Sequence, residues 1–235
     1  GEVSVDFGKV VKRSRDVADA NSGGVQFLMK KNKVDVFMGF GVMTDAKTVE
    51  VRDESGTAVE TLKTTNIIVA TGASPKILPG IEVDYEKIIT SKEALTPKSL
   101  PKSMVIIGAG AIGAEFAYFY NAFGTDVTII EYLPHMLPVE DVDASKEVAR
   151  AFKKQGITVR AGTKVVSAKV AGNGVEVVVE GKDGKQETLK ADIALNAVGV
   201  VGNVEGVGLE TVGVAIERGH IKVDEWMRTN VDGVY

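Results

Sequence analysis

Residues 104–131 admit few folds. Met104-Val105-Ile106-Ile107 is a compact run of β-formers, and the six residues after it include three glycines. Beyond them Ile112, Phe116, Phe119, Tyr120 and Phe123 recur at spacings that share one helical face. Gly124 suits the left-handed position that closes a helix, and Val127-Thr128-Ile129-Ile130 reads as a second buried strand. Strand, helix and strand within about 30 residues close as a right-handed parallel βαβ unit. A further helix is expected over residues 143–155, with Val148, Ala151 and Phe152 on its inner face.

The glycines are placed for an anion. Gly108, Ala109, Gly110, Ala111, Ile112 and Gly113 form G-x-G-x-x-G between the strand and the helix. Gly108 allows the tight turn, Gly110 lets a pyrophosphate approach the backbone, and Gly113 lets helix and strand pack closely. The unpaired N–H groups and positive dipole end of the helix stabilise the negative charge. Glu131 follows about 20 residues on, at the end of the second strand, where a carboxylate accepts hydrogen bonds from ribose hydroxyls and repels a 2′-phosphate. No arginine stands in Tyr132-Leu133-Pro134-His135, so the pattern favours NAD over NADP. Glu115, in an otherwise apolar stretch of the helix, is expected to face the ligand or a partner.

Other polar groups carry less. His135 and His220 are the only histidines, lack metal-ligand spacing and read as loop residues. Glu140, Asp141 and Asp143 read as the cap and charge complement of the next helix rather than a metal cluster. Lys30-Lys31 and Lys153-Lys154 suit the negative ends of helices.

Two stretches resemble each other. The Glu-Thr-Leu-Lys block at residues 60–63 recurs at 187–190, and the closing glycines, Gly72 and Gly199, keep the same separation. Between a helix end at Asn32 or Gly156 and those glycines, each copy runs through a short strand (34–36; 157–159), alternating segments and an apolar strand (67–72; 193–199). The alternating segments 164–170, 175–180 and 186–190, joined by glycine turns, read as antiparallel hairpins. Segments 49–52 and 59–63 do the same around 53–56. The fold class expected is α/β, a Rossmann-like parallel sheet with an antiparallel β-meander insertion, duplicated, the second copy complete and the first partial. Residues 90–101 read as the connection.

Composition narrows the function classes. A net charge of −4 with no basic block gives no footprint for nucleic acid. The most apolar stretch, 104–114, falls short of the roughly 18 residues of a membrane span. The N-terminal residues 1–6 lack the features of a secretory signal, and a cytoplasmic location is expected. The absence of cysteine excludes disulfides and thiol chemistry within these residues.

The motifs together resemble the dihydrolipoamide dehydrogenases, within the FAD-dependent pyridine nucleotide–disulfide oxidoreductases. The likeness runs through SMVIIGAGAIGAEFAYFYNAFGTDVTIIE at 103–131, Ile68-Val69-Ala70-Thr71-Gly72-Ala73, and Arg228-Thr229-Asn230-Val231-Asp232-Gly233-Val234-Tyr235. That resemblance implies two related dinucleotide domains, FAD first and NAD second. It implies NAD contacts at 108–113 and Glu131, Val165 beside the adenine, and Ala197-Val198-Gly199 facing the nicotinamide half. It places Glu115 beside the flavin–nicotinamide contact, and Gly41, Thr71, Gly72 and Ala73 at FAD. Residues 1–100 are then a partial FAD-binding segment, 101–205 the NAD-binding domain and 206–235 a return segment.

The departures are as specific. The first copy's glycine motif would fall before residue 1, and the family's C-x-x-x-x-C and histidine–glutamate pair are absent. Tyr235 precedes the expected Ala-Ile-Gly-Asp flavin motif. Val200-Val201-Gly202-Asn203 replaces G-R-x-P-N. The chain reads as an internal fragment of a dimeric flavoenzyme that oxidises dihydrolipoamide with NAD⁺. The resemblance implies lipoyl domains of a 2-oxo acid dehydrogenase or glycine cleavage complex as partners. NAD(H) binding without disulfide turnover is expected of the isolated chain. Two readings stay open beside it: an NADH-dependent flavin reductase or oxidase of the same fold, and a non-catalytic NADH-binding module.

Overall fold

A computed structural model describes residues 4–235; part of the segment read as lacking a secretory signal, residues 1–3, lies outside them. In chain order the elements are α1 (Phe7–Lys31), β1 (Phe40–Asp45), β2 (Thr48–Arg52), β3 (Ala58–Lys63), β4 (Ala73–Pro75), β5 (Ile88–Thr90) and α2 (Ser91–Ala94). Then come β6 (Ser103–Ile107), α3 (Ala111–Ala122), β7 (Asp126–Glu131), α4 (Val142–Lys154), β8 (Thr158–Ala161), β9 (Lys164–Ala171), β10 (Gly174–Glu180) and β11 (Gln186–Ala191). The last are β12 (Ile193–Asn196), β13 (Val200–Gly202), α5 (Leu209–Val212), β14 (Ile216–Glu217) and β15 (His220–Ile221). The chain divides into two compact units, residues 1–19 with 75–199, and residues 20–74 with 200–235. The sequence boundary at 100/101 falls inside the first unit, because β5 is paired into that unit's sheet.

The first unit is built on a five-stranded sheet in the order β5-β12-β6-β7-β8, with parallel pairing throughout. Its strands are continuous apolar runs because both faces are covered. On one face α3 and α4 enclose Met104, Ile106, Ile129 and Leu195. On the other the antiparallel meander β9-β10-β11 turns Val175, Val177 and Val179 toward Val105, Ile107 and Ile130. Strand β10 alternates buried valines with Glu176, Val178 and Glu180, the period that seats one face of a meander on a core.

Helix α3 sets the small residues Gly113, Ala114 and Ala117 deepest. Of the expected large residues Tyr120 is fully buried, while Ile112, Phe116 and Phe119 pack at the edge of the core. Small residues win the interface because the helix lies against the glycine turn, where a side chain at Gly113 would strike the Gly108 carbonyl oxygen. Tyr120 is fully buried, its Oη donates to the Ala94 carbonyl oxygen at 2.8 Å, and burial pushes its phenol up to about 12. Phe7 packs on Phe119 and Phe123 with ring centroids 6.1 and 5.4 Å away. Asp141 caps α4 by accepting from the N–H groups of Asp143 and Ala144, as the acidic run implied. The inner face of α4 is Ser145, Val148 and Phe152 rather than one including Ala151, which is exposed. The reason is polar: Ser145 Oγ turns in to donate to the Met136 carbonyl oxygen.

In the second unit β1, β2 and β3 form the corresponding antiparallel meander, and its last strand carries Glu60–Lys63 as β11 carries Glu187–Lys190. Strand β1 had no sequence expectation. The expected strand at 34–36 does not form, and the one at 67–72 is reduced to a bridge between Ile67 and Val234. The second copy's β12 has neighbours in β5 and β6; Ile67 and Val69 instead donate to Gly233 and Tyr235 carbonyl oxygens at 2.8 and 2.7 Å. Met43, Ile67, Val204, Leu209 and Val234 form this unit's core.

Candidate dinucleotide-binding site

The glycine turn lies at the carboxyl ends of the first unit's strands, between β6 and α3. Its three glycines serve different ends. Gly108 has φ +104°, and a Cβ there would come 2.5 Å from the Ala197 carbonyl oxygen. Gly113 is closed by the backbone of Gly108. Gly110, the N-cap of α3, has an ordinary extended conformation (φ −70°, ψ −174°), and a Cβ on it would meet nothing within 4 Å. The packing therefore explains two of the glycines and leaves open space over the third. No side chain caps α3, and the first N–H groups of a helix have no intrahelical acceptors. The arrangement is a cradle for an anion.

Glu131 ends β7 with 7% of its surface exposed. Its Oε2 accepts the Ala109 N–H at 2.8 Å and its Oε1 the Leu133 N–H at 2.7 Å. A buried carboxylate needs such partners, and here they belong to the turn itself. Each oxygen keeps further acceptor capacity for hydroxyl groups of a ligand. Beside it a cleft of about 570 Å³ is lined by Glu131, Tyr132, Thr163, Val165, Gly108 and Val198, and by Leu78 and Pro79 from the segment that runs alongside β9.

Each expected residue has a definite place. Gly108, Glu131 and Val165 line this cleft. Ala109 is buried in the turn; Ala111, exposed, and Ile112, half-buried, form the first turn of α3. Gly199 is exposed with φ +112°, and its carbonyl oxygen accepts the Lys76 N–H at 2.9 Å. Glu115 is exposed and borders a different, apolar groove with Val10, Leu95, Pro97 and Phe116. His135 is half-buried rather than on an open loop, its Nδ1 3.1 Å from the Met136 carbonyl oxygen; His220 is exposed. Among the described residues no cluster of His, Asp or Glu is disposed to hold a metal ion.

In the second unit Gly41 and Thr71 border a shallow groove with Arg52, Asp53 and Asn203. Asn203 shapes the neighbouring segment. Its Nδ2 donates to the Thr71 carbonyl oxygen at 3.0 Å, its N–H to that of Gly72 at 3.0 Å, and its Oδ1 accepts the Ser74 hydroxyl at 2.7 Å. Gly72, at φ +75°, and Ala73, in β4, are thus held by the asparagine that survives in the altered 200–203 segment. Sequence reasoning gave Asn203 no role. Nor did it give a role to Leu78 and Pro79, which lie outside every motif, or to Asn196, a polar residue within the expected apolar strand 193–199.

Comparisons with known proteins agree with this architecture. Dihydrolipoyl dehydrogenases from Chlorobaculum tepidum and Mycobacterium bovis are 48% and 46% identical to the chain over its whole length. The chain spans about half the length of these curated relatives, 50% of each. The crystal structure of LpdA from Mycobacterium tuberculosis superposes on the whole chain with a TM-score of 0.87 at 29% identity, matching 52% of that protein. The flavoprotein disulfide reductase RclA from Escherichia coli, solved as a Cu(II) complex, gives 0.76 at 26% identity, over 98% of this chain and 52% of that one. No described helix is long and apolar enough to cross a membrane. The family model described as pyridine nucleotide-disulphide oxidoreductase matches residues 3–235, and by that match the chain belongs to this family.

Proposed function

We propose that the first unit binds NAD(H) and that the chain is the NAD-binding part of a dihydrolipoyl dehydrogenase. The observation that carries this reading is the space over Gly110, kept open where the fold itself has no need of a glycine, next to an uncapped helix start. That space suits a pyrophosphate, and Glu131, bonded to the Ala109 N–H of the same turn, is the acceptor proposed for the ribose. In the whole enzyme FAD and a redox disulfide would supply the oxidation chemistry, and the glycine turn at 108–113 with Glu131 would hold the NAD⁺ that accepts the hydride.

The chain's own part is binding and orientation. The N–H groups of 110–112 hold the diphosphate charge, and Glu131 accepts the ribose hydroxyls while repelling a 2′-phosphate. Val165 and Pro79 supply apolar wall to the cleft, a surface suited to an adenosine. The chain orients; the redox couple of the family is not among its residues. The groove at Gly41 and Thr71 is read as a remnant FAD contact, with Asn203 holding the loop from Thr71 to Ala73.

Calorimetric titration with NADH and NADPH tests the proposal. The chain is expected to bind NADH in preference, and Glu131→Gln to weaken NADH and narrow that preference. Equal affinity for the two coenzymes in the unaltered chain, or no heat with either, would refute it.

A further inference from the structure

Asn196 is buried to 2% exposure at the end of β12, level with Thr90 of β5 and Ile107 of β6. Its Nδ2 donates to the Lys76 carbonyl oxygen at 2.7 Å, while its Oδ1 is buried without a partner. A buried acceptor left without a hydrogen bond weakens a fold, so stability alone does not account for an amide here. A leucine would fill similar volume without that penalty.

The neighbours of Asn196 give it a position. Ala197, next along, donates its N–H to the Ile107 carbonyl oxygen at 2.8 Å, and its own carbonyl oxygen packs against Gly108. On the other side Lys76, held by the Asn196 amide, leads into Leu78 and Pro79, the bank of the dinucleotide cleft that runs beside β9. The far end of that bank is pinned separately, where Ala168 donates to the Gly80 carbonyl oxygen at 2.9 Å and Glu82 to that of Ala168 at 3.0 Å. The near end is held as well by the Lys76 N–H to Gly199 bond, directly after β4.

We propose that Asn196 is a positioning residue of the cleft, tying the Leu78–Pro79 bank to the glycine turn and so fixing where that wall stands beside the dinucleotide. This rests on the reading of the cleft as the NAD site. The amide acts through the backbone of Lys76 and makes no contact with the coenzyme. Its unpaired oxygen is the stability given up for that link.

The test uses Asn196→Leu and Asn196→Gln in the full chain. Asn196→Leu is expected to unfold at the same temperature as the parent or higher, because an unpaired oxygen leaves with the lost bond. It is expected to raise the Kd for NADH at least threefold. Amide hydrogen exchange of Lys76, whose N–H bonds to Gly199, is expected to accelerate severalfold, with β9 and β10 unchanged. Asn196→Gln, which keeps the donor, is expected to recover part of both losses. Unchanged exchange at Lys76 in Asn196→Leu overturns the tie, whatever the chain binds. Accelerated exchange with unchanged NADH affinity overturns its role in the cleft. A parent chain that fails to bind NADH refutes the NAD reading instead, and the exchange arm still decides the tie.

Discussion

Substituting valine at Gly110 separates the demands of the fold from those of the ligand. The backbone there is one any residue adopts, and an added Cβ meets no atom within 4 Å. Glycine is only a middling N-cap, so losing it costs the helix about 1 kcal/mol or less. In a chain of this size that lowers Tm by roughly 2–4 °C. The ligand pays more. Two methyl groups placed where a diphosphate must approach the backbone act as an overpacked contact, about 1–3 kcal/mol. At about 1.4 kcal/mol per tenfold, NADH affinity is expected to fall by roughly 5- to 150-fold. Calorimetric titration and a thermal melt on the same preparation measure both quantities. The control is Gly113→Ala, whose new methyl strikes the Gly108 backbone, and which is expected to lose stability before it loses ligand. A folded Gly110→Val that binds NADH within twofold of the parent would refute the anion cradle.

Two further substitutions probe the frame around the cleft. Tyr120→Phe leaves the buried Ala94 carbonyl oxygen without its donor, at a cost of about 2 kcal/mol. Calorimetry is expected to show Tm lowered by roughly 4–8 °C, and a change under 1 °C would rule that bond unimportant. Asp84 loses hydration by partial burial, which raises its pKa, but bonds from the N–H groups of Ile88, Lys87 and Glu86 outweigh this and hold it below the ordinary carboxylate value. A depressed pKa contributes stability above the unfolded value that disappears as pH falls through the folded one. Asp84→Asn is therefore expected to lower Tm at pH 7 and to match the parent once the acid is protonated. A stability difference that persists undiminished into that acid range would contradict this assignment.

What the sequence conveyed about the fold follows the range of the interactions involved. The strand, glycine turn and helix at 104–122 were readable because each depends on neighbours within a few residues. The two meanders were readable because alternation and glycine turns are local as well. The expected strand at 67–72 did not form because a strand is completed by partners far along the chain, and Ile67 and Val69 found theirs in Gly233 and Tyr235. Helix α3 was legible only in part for a related reason: its aromatic spacing is regular, yet the close approach at Gly113 decides which residues lie deepest. Within the site, Gly108 and Glu131 stand in a recognisable motif. Leu78, Pro79 and Asn196 reach it through contacts more than a hundred residues apart in places, as in the bond from Asn196 to Lys76, and no pattern of residue types announces them.

The carboxylate of Glu131 receives its hydrogen bonds from the very bend that would receive the diphosphate. On the proposed reading, coenzyme choice and the shape of the phosphate loop are one inheritance, and a lineage drifting toward a phosphorylated coenzyme could not simply exchange the acid for a base. It would first have to find new acceptors for the amides of Ala109 and Leu133, which makes such a switch a several-step route through intermediates that hold neither coenzyme well.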